Sequence, residues 1–205
     1  MSLDRLTHSF TLRPAARADG EETTPRAAVA AVFRPGPDLL FIRRAEREGD
    51  PWSGHMAFPG GRSAPADRDV VQTATRETLE EVGLDLEAEG TLLGQLDELA
   101  TPTRSRRRSP LVVVPYVFSL ARNPVLVPNY EVAEVHWFPL DRLLAGEGRG
   151  TLVYHYEGAE IELPCVRLDG TTIWGITLRM VDELLERLAG IRPPSARPRA
   201  APERP

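Results

Sequence analysis

The stretch that decides the fold is 54-GHMAFPGGRSAPADRDVVQTATRETLEEVGL-84. Its last third places Glu77, Glu80 and Glu81 at positions i, i+3 and i+4 of a helical repeat. At 3.6 residues per turn the three fall within about 100° of arc. Like charges at these spacings repel, by roughly 0.2–0.5 kcal/mol per pair. The chain contains no lysine, and Arg76 is the only basic residue inside "RETLEEVGL". A helix face set against its own electrostatics requires a positive charge from outside the helix.

Outward from the glutamates, "DRDVVQTATRETLEEVG" (67–83) predicts a helix, with an aspartate near its start and Gly83 at its stop. On a helical wheel Val71, Thr75, Thr78, Leu79 and Val82 share the side that packs on a sheet. Glu77, Glu80 and Glu81 take the opposite side. Upstream, "FPGG" (58–61) ends a strand, and its glycines allow a sharp turn and close approach to a ligand. A backbone carbonyl there is expected to face the glutamates. Strand alternation turns Met56 and Phe58 toward the core. Oxygen-only donors suit a hard cation, Mg²⁺ or Mn²⁺, which binds phosphates and polarises them for attack by water. The missing counter-charge is then a metal.

The rest of the chain alternates strand and helix signals. "AAVAAVF" (27–33) and "LLFIRR" (39–44) read as strands joined by "RPGPD". "TLLGQLDEL" (91–99) and "PLVVVPYVFSL" (110–120) read as two more. "VAEVHWFPL" (132–140) is a strand leading into a short helix, and "GTLVYHYEGAEIELPCV" (150–166) a hairpin turning at "EGAE". "TIWGITLRMVDELLERLAG" (172–190) is an amphipathic element closed by Gly190. The expected class is α/β (α+β), a mixed sheet with helices packed on it. Residues 26–190 form the domain, 1–25 an N-terminal extension with a loop at "AARADGEETTP", and 191–205 a disordered proline- and arginine-rich tail.

Composition excludes several function classes. A net charge of −5 argues against a general nucleic-acid or membrane-surface partner. The absence of lysine excludes Schiff-base chemistry and a P-loop lysine. Cys165 is the single cysteine, so no internal disulfide forms, and it reads as a core residue. No apolar run approaches the roughly 20 residues of a membrane span, and no signal peptide opens the chain. The expected location is the cytoplasm.

The string "GG…RETLEEVGL" resembles the Nudix box, the signature of Nudix hydrolases. Arg76, Glu77, Glu80, Glu81, Gly83 and Leu84 match its positions, with Leu79 in a free slot. Thr78 stands where the box has an apolar residue, Asp67 where it has an upstream glutamate, and the spacing from Gly61 is one residue longer. That longer spacing resembles the coenzyme A pyrophosphatase branch. So do "GHMAFPGG", with Gly54 and Phe58 in place, and "IWGIT", with Ile173, Trp174, Gly175 and Thr177. Between Arg44 and Gly54 the chain departs from the branch's motif in spacing and in its second arginine.

The resemblance implies an α/β/α sandwich with a mixed central sheet. It implies that Glu77, Glu80 and Glu81 bind Mg²⁺ or Mn²⁺ with the Gly60 carbonyl, and that Arg76 orients them. One of these glutamates or a later acid would activate water; Glu131 in "NYEVAEVHW" is the first choice, with Glu134 and Glu98 as alternatives. Arg43, Arg44, Phe58 and Arg62 are the candidate substrate contacts. The run Arg104, Arg106, Arg107 and Arg108 is a solvated loop or a grip on an extra phosphate. His55 reads as a structural hydrogen-bond partner or a phosphate contact, and Trp174 as core or a stacking platform. The implied activity is hydrolysis of a nucleoside diphosphate-linked compound, coenzyme A first, with ADP-ribose, dinucleotides or damaged nucleotides as alternatives. A non-catalytic ligand sensor of the same fold is the reading from another class. The resemblance also raises a homodimer.

Overall fold

Two strands, residues 26–34 and 38–44, run out and back through the centre of the molecule with apolar side chains on both faces. The computed structural model describes residues 4–18, 24–50, 52–101, 111–156 and 159–189. Its elements run α1 (Asp4–Leu12), β1 (Arg26–Arg34), β2 (Asp38–Arg44), β3 (Met56–Ala57), β4 (Gly60–Arg62), α2 (Val70–Val82), α3 (Leu86–Glu89), β5 (Gly90–Gln95), β6 (Leu99–Ala100), β7 (Val112–Leu120), β8 (Val132–Pro139), α4 (Leu140–Leu144), β9 (Arg149–Tyr156), β10 (Ala159–Leu168), β11 (Thr171–Trp174) and α5 (Gly175–Ala189).

The central sheet has the order β3-β2-β1-β7-β5, with β8 on β2, β4 on β1 and β6 on β7. Strands β1 and β7 are parallel, in register from Arg26↔Val112 to Phe33↔Ser119, and the other pairings are antiparallel. Burial on both faces suits this parallel pair, because helices cover both sides. A second, antiparallel sheet is ordered β11-β10-β9. Alternation along β1 and β2 divides the core in two. Ala28, Ala30, Val32, Leu40 and Ile42 pack with Ala74 and Val82 of α2. Ala31, Phe33, Leu39 and Phe41 pack with Phe58, Phe138 and, from α5, Val181, Leu184 and Leu188. The alanines on the α2 side keep bulk out of the interface and let the helix lie close to the strand. The expected mixed sheet between helices is present.

Helix α2 starts three residues later than its sequence suggests. Asp69 caps it, its Oδ1 accepting the Gln72 N–H at 2.8 Å, while Asp67 lies outside. Gly83 ends it at φ 70°. That left-handed conformation suits glycine, and its N–H reaches the Leu79 carbonyl at 2.9 Å. Thr78 fits a buried apolar slot because its hydroxyl donates to the Ala74 carbonyl at 2.7 Å. Two residues leave their predicted sides: Leu79 is 48% exposed, whereas Glu81 is only 2% exposed.

Three elements differ from expectation. The stretch 91–99 is two strands with a break at Leu96–Glu98. "TIW" is a strand, not helix: β10 and β11 form a hairpin around Asp169 (φ 48°) and Gly170 (φ 80°), with Leu168 paired to Thr171. Positive φ at both turn residues is the pattern that Asp-Gly supports. The N-terminal extension carries helix α1, which packs on β5 and α5. The tail, Gly190, the arginine run at 104–108 and the tip of the "EGAE" turn lie outside the described residues. Among the described residues, no helix is long and apolar enough to cross a membrane.

Candidate active site

The opposing charge that the glutamate face requires begins with its own neighbour. Arg76 grips Asp67 through Nε (2.8 Å) and Nη2 (3.1 Å). Its Nη1 donates to Glu77 at 2.8 Å and to both Glu80 oxygens at 3.3 Å, and Nη2 donates to the Arg62 carbonyl at 3.2 Å. Asp67 is held in turn by the Ala64 N–H and the Thr73 hydroxyl, each at 2.8 Å. The hydrogen bond from Arg76 keeps the Asp67 carboxyl well below the usual carboxylate range. Asp67 therefore anchors the arginine that spans the glutamates.

Glu81 is held differently. It points inward, and its Oε2 accepts the Gly60 N–H at 2.8 Å. Arg44 Nη1 stands 4.0 Å from its other oxygen, while Nη2 of the same arginine donates to Asp50 at 2.7 Å. The Arg44 Nε is buried without a partner. Burial pushes the Glu81 carboxyl up to about 7, against the Gly60 N–H and Arg44, and the charges of Glu77 and Glu131 push it further. Burial likewise raises Glu77, with Glu80 and Glu131 adding to it against Arg76.

Two glycines make this approach possible. At Gly60 (φ 152°) a Cβ would lie 2.2 Å from the Ala28 carbonyl oxygen, and at Gly61 it would lie 2.5 Å from the Glu77 carboxylate. The contact seen at Gly60 is through its N–H rather than the expected carbonyl.

Glu131 reaches the cluster because the loop before β8 is fastened to the end of α2. Val127 N–H donates to the Val82 carbonyl (2.8 Å) and Asn129 N–H to the Glu81 carbonyl (2.9 Å). The Asn129 side chain accepts the Glu131 N–H at 2.8 Å, and the Glu131 carbonyl accepts the Ala45 N–H at 2.8 Å. Arg47 Nη1 lies 3.8 Å from the Glu131 carboxylate. The two alternatives are engaged elsewhere. Glu134 pairs with Arg43 and lies 2.9 Å from His136 Nε2; these bonds, Arg43 first, pull it down to about 2. Glu98 pairs with Arg26 and accepts the Ala18 N–H at 3.2 Å.

The four candidate substrate contacts separate. Arg44 faces the cluster, and Arg62 is exposed on the strand beside it. Arg43 is paired with Glu134 on the neighbouring strand. Phe58 is corrected: it is 1% exposed and packs against Phe41 at 5.0 Å between ring centroids, so it presents nothing to a substrate. His55 and Trp174 meet edge to face at 4.8 Å, and Cys165 is buried and free. The anchoring role of Asp67 and the Arg44–Glu81 approach are not readable from local sequence, since Arg44 and Glu81 come from distant segments. The Asp169-Gly170 turn was readable from its dipeptide.

Asp50, Asp67, Glu77, Glu80, Glu81 and Glu131 outnumber Arg44, Arg47, Arg62 and Arg76 six to four. These donors fit a hard divalent cation in chemistry: all are oxygens, in excess of the available arginines, and one is buried and raised. Among the described residues no three acidic, histidine or cysteine side chains converge closely enough to hold an ion, because Glu77 and Glu80 are turned onto Arg76.

Comparison with known proteins places these residues in a family context. The NUDIX domain pattern matches residues 23–156. The chain is 34% identical over 202 residues to the human mitochondrial coenzyme A diphosphatase NUDT8, covering 96% of this chain and 80% of that protein. It is 42% identical over 113 residues to protein C14C4.10c of Schizosaccharomyces pombe, which covers 54% of this chain but only 34% of that one. A MutT/nudix family protein from Enterococcus faecalis shares the fold at a TM-score of 0.56 and 20% identity, over 93% of this chain and 70% of the other.

Proposed function

The chain belongs to the Nudix hydrolase family, whose members act on pyrophosphate bonds, and from that premise we propose a substrate, a metal and a division of labour among its residues. The substrate is a nucleoside diphosphate-linked compound, with coenzyme A or a derivative first, split into 3′-phospho-AMP and phosphopantetheine. The observation that carries the reading is the excess of acids around a buried Glu81. The human relative, named a coenzyme A diphosphatase and alignable over nearly the whole chain, supports the choice of coenzyme A.

Glu77, Glu80 and Glu81 would hold Mg²⁺ or Mn²⁺, with the Gly60 carbonyl as a further donor. When bound, the cation neutralises the diphosphate oxygens and acidifies water. Arg76, anchored by Asp67, would orient Glu77 and Glu80 through the bonds it makes to them and keep a guanidinium at the edge of the site. Glu131 takes the proton from the attacking water. Its charge already acts on Glu77 and Glu81, and its loop is fastened to the end of α2 that carries them. Water oxygen bonds to one phosphorus, the bridging P–O bond breaks, and the bridging oxygen leaves with the other phosphate. Arg62 and Arg44 would meet that charge.

The test is a product assay. Purified protein with Mg²⁺ or Mn²⁺ meets coenzyme A, acetyl-coenzyme A, dephospho-coenzyme A, ADP-ribose, NADH and a diadenosine polyphosphate, and products are identified by mass. Preferential cleavage of the coenzyme A species is expected. Preference for another compound would remove coenzyme A and keep the chemistry. Glu80→Gln should lose most of kcat in a hydrolase, whereas a non-catalytic sensor of the same fold should keep its ligand affinity.

A further inference from the structure

Helix α2 lies chiefly over β1 and β4 and scarcely covers the same face of β7. The segment after α1 comes in beside it, fastened through its backbone. The Ala16 N–H donates to the Asp97 carboxylate (2.9 Å), the Glu98 N–H to the Ala16 carbonyl (2.9 Å) and the Ala18 N–H to the Glu98 carboxylate (3.2 Å). Between this segment, β5, β7 and the start of α2 lies a cavity of about 670 Å³, lined by Arg17, Arg26, Asp69, Gln95, Glu98 and Tyr116 among others. That volume falls within the ordinary range for small-molecule sites. Phe10 joins the lining because residue 94 is glycine: a Cβ there would lie 2.3 Å from its ring. Val70, also in the lining, stands about 10 Å before Glu77 along the helix axis. The cavity is therefore a different place from the acid cluster.

Most of the charge in the lining is already answered. Arg26 pairs with Glu98, whose other oxygen accepts the Ala18 N–H. Asp69 caps α2 and sits at the positive end of the helix dipole. Among the described residues no carboxylate pairs with Arg17, so one positive charge is left over. A guanidinium forks onto one carboxylate. A phosphate dianion would meet Asp69 and Glu98 with only that single free arginine to hold it. The second observation is Tyr116. It is 8% exposed, on the α2 side of β7, and its hydroxyl has no hydrogen-bond partner among the described residues. The hydroxyl end is the part that meets the cavity. Burial raises it, and the charges that act on it, those of Asp69, Arg26 and Glu98, all belong to the lining. Gln95 pairs with Tyr116 across the sheet, and its side-chain amide is likewise without a partner among the described residues. A buried hydroxyl takes its partner from whatever fills the space beside it. A phenol and an amide each donate and accept, so together they match a neutral polar group.

We propose that this cavity is a second ligand site, which takes a small monocarboxylate carrying a neutral hydrogen-bonding group. The carboxylate lies on Arg17, and the neutral group lies on Tyr116 and Gln95. The site does not depend on the hydrolase reading and stands or falls without it.

Calorimetric titration of the intact, metal-free protein with N-acetylglycine, N-methylacetamide, glycine and inorganic phosphate is the experiment. N-acetylglycine carries both groups. N-methylacetamide lacks the carboxylate, glycine has an ammonium in place of the amide, and phosphate brings the second negative charge. N-acetylglycine is expected to bind one site at least about 10-fold tighter than each of the other three. Arg17→Ala should weaken it about 10-fold and Tyr116→Phe about 5-fold. Thermal melts identify a variant that fails to fold. Arg17 is exposed, so its variant decides should Tyr116→Phe be lost. Equal binding of N-acetylglycine and N-methylacetamide would overturn the proposal, as would tighter binding of glycine or phosphate. Binding that neither variant weakens would also overturn it, because the carboxylate would then lie elsewhere on the protein. Titrations that never saturate would do the same and leave the cavity to water.

Discussion

Two buried charge clusters in this molecule are built on opposite plans. Where α5 meets the N-terminal segment, Arg187 is almost fully buried and all of its groups are answered. Nε donates to Glu183 (2.8 Å), Nη2 to Asp97 (3.1 Å) and Nη1 to the Arg13 carbonyl (2.7 Å), while Phe10 lies 5.0 Å below the guanidinium. Asp97 is pushed up by burial but ends below its ordinary value, because the Ala16 N–H, Arg13 and Arg187 outweigh that burial. On α2 the acids outnumber the arginines, the Arg44 Nε has no partner, and Glu81 is held up at about 7. At α5 too the acids Asp97, Glu183 and Glu186 outnumber Arg13 and Arg187, and burial holds Glu183 above its ordinary value, so the difference is that every group of the buried arginine is answered. On the proposed reading, the cluster on α2 is where a cation would sit.

The strongest way to break this comparison is to neutralise one member of each cluster. Glu81→Gln should lower kcat by about 10²- to 10⁴-fold while raising the melting temperature of the metal-free protein. A variant equally active with Mg²⁺ would place Glu81 among the merely structural acids. Arg187→Ala should do the opposite. It leaves Asp97 and Glu183 buried without their cation, costing about 3–5 kcal/mol in urea unfolding, with turnover per folded molecule unchanged. Loss of turnover in correctly folded protein would show that the two clusters are coupled.

A smaller effect sharpens the contrast through pH. The folded Glu81 carboxyl is raised from its ordinary 4.5 to about 7, so the metal-free fold favours its protonated form. Its ionisation therefore costs stability progressively as pH rises from 4.5 to 7, and no more above that. The stability advantage of Glu81→Gln over the unmodified protein should be near zero below pH 4.5. It should grow to the order of 3 kcal/mol above pH 7, read from urea midpoints in the presence of a chelator. A pH-independent difference would refute it. The smallest effect is expected at Arg13→Ala. Its pair with Asp97 is partly exposed and Arg187 remains, so unfolding should shift by no more than about 1 kcal/mol.

Much of the candidate site was legible in the residues because it lies on one helix. The spacing of Glu77, Glu80 and Glu81, the stop at Gly83 and the glycines at 60 and 61 each follow from local backbone geometry. The wheel failed at Leu79 and Glu81 for a physical reason. The alanines of β1 admit the helix so closely that Glu81 is buried against the Gly60 N–H, and that one bond only partly offsets the lost solvation of its charge. Phe58 was read both as core and as substrate contact, and strand alternation was the sounder guide. Helix α1 went unread because its packing depends on Arg187, far along the chain.

The sequence by itself determined that a helix would carry three acids on a sheet-backed scaffold and that glycines would stand beside them. These are properties of periods of two and 3.6 residues, which any short segment expresses alone. Only the tertiary structure decided which acid is buried, that Asp67 holds Arg76, and that Glu131 rather than Glu134 or Glu98 joins the cluster. Those outcomes depend on contacts between residues distant in the chain, and on the desolvation that accompanies burial, neither of which leaves a periodic trace in the residues themselves.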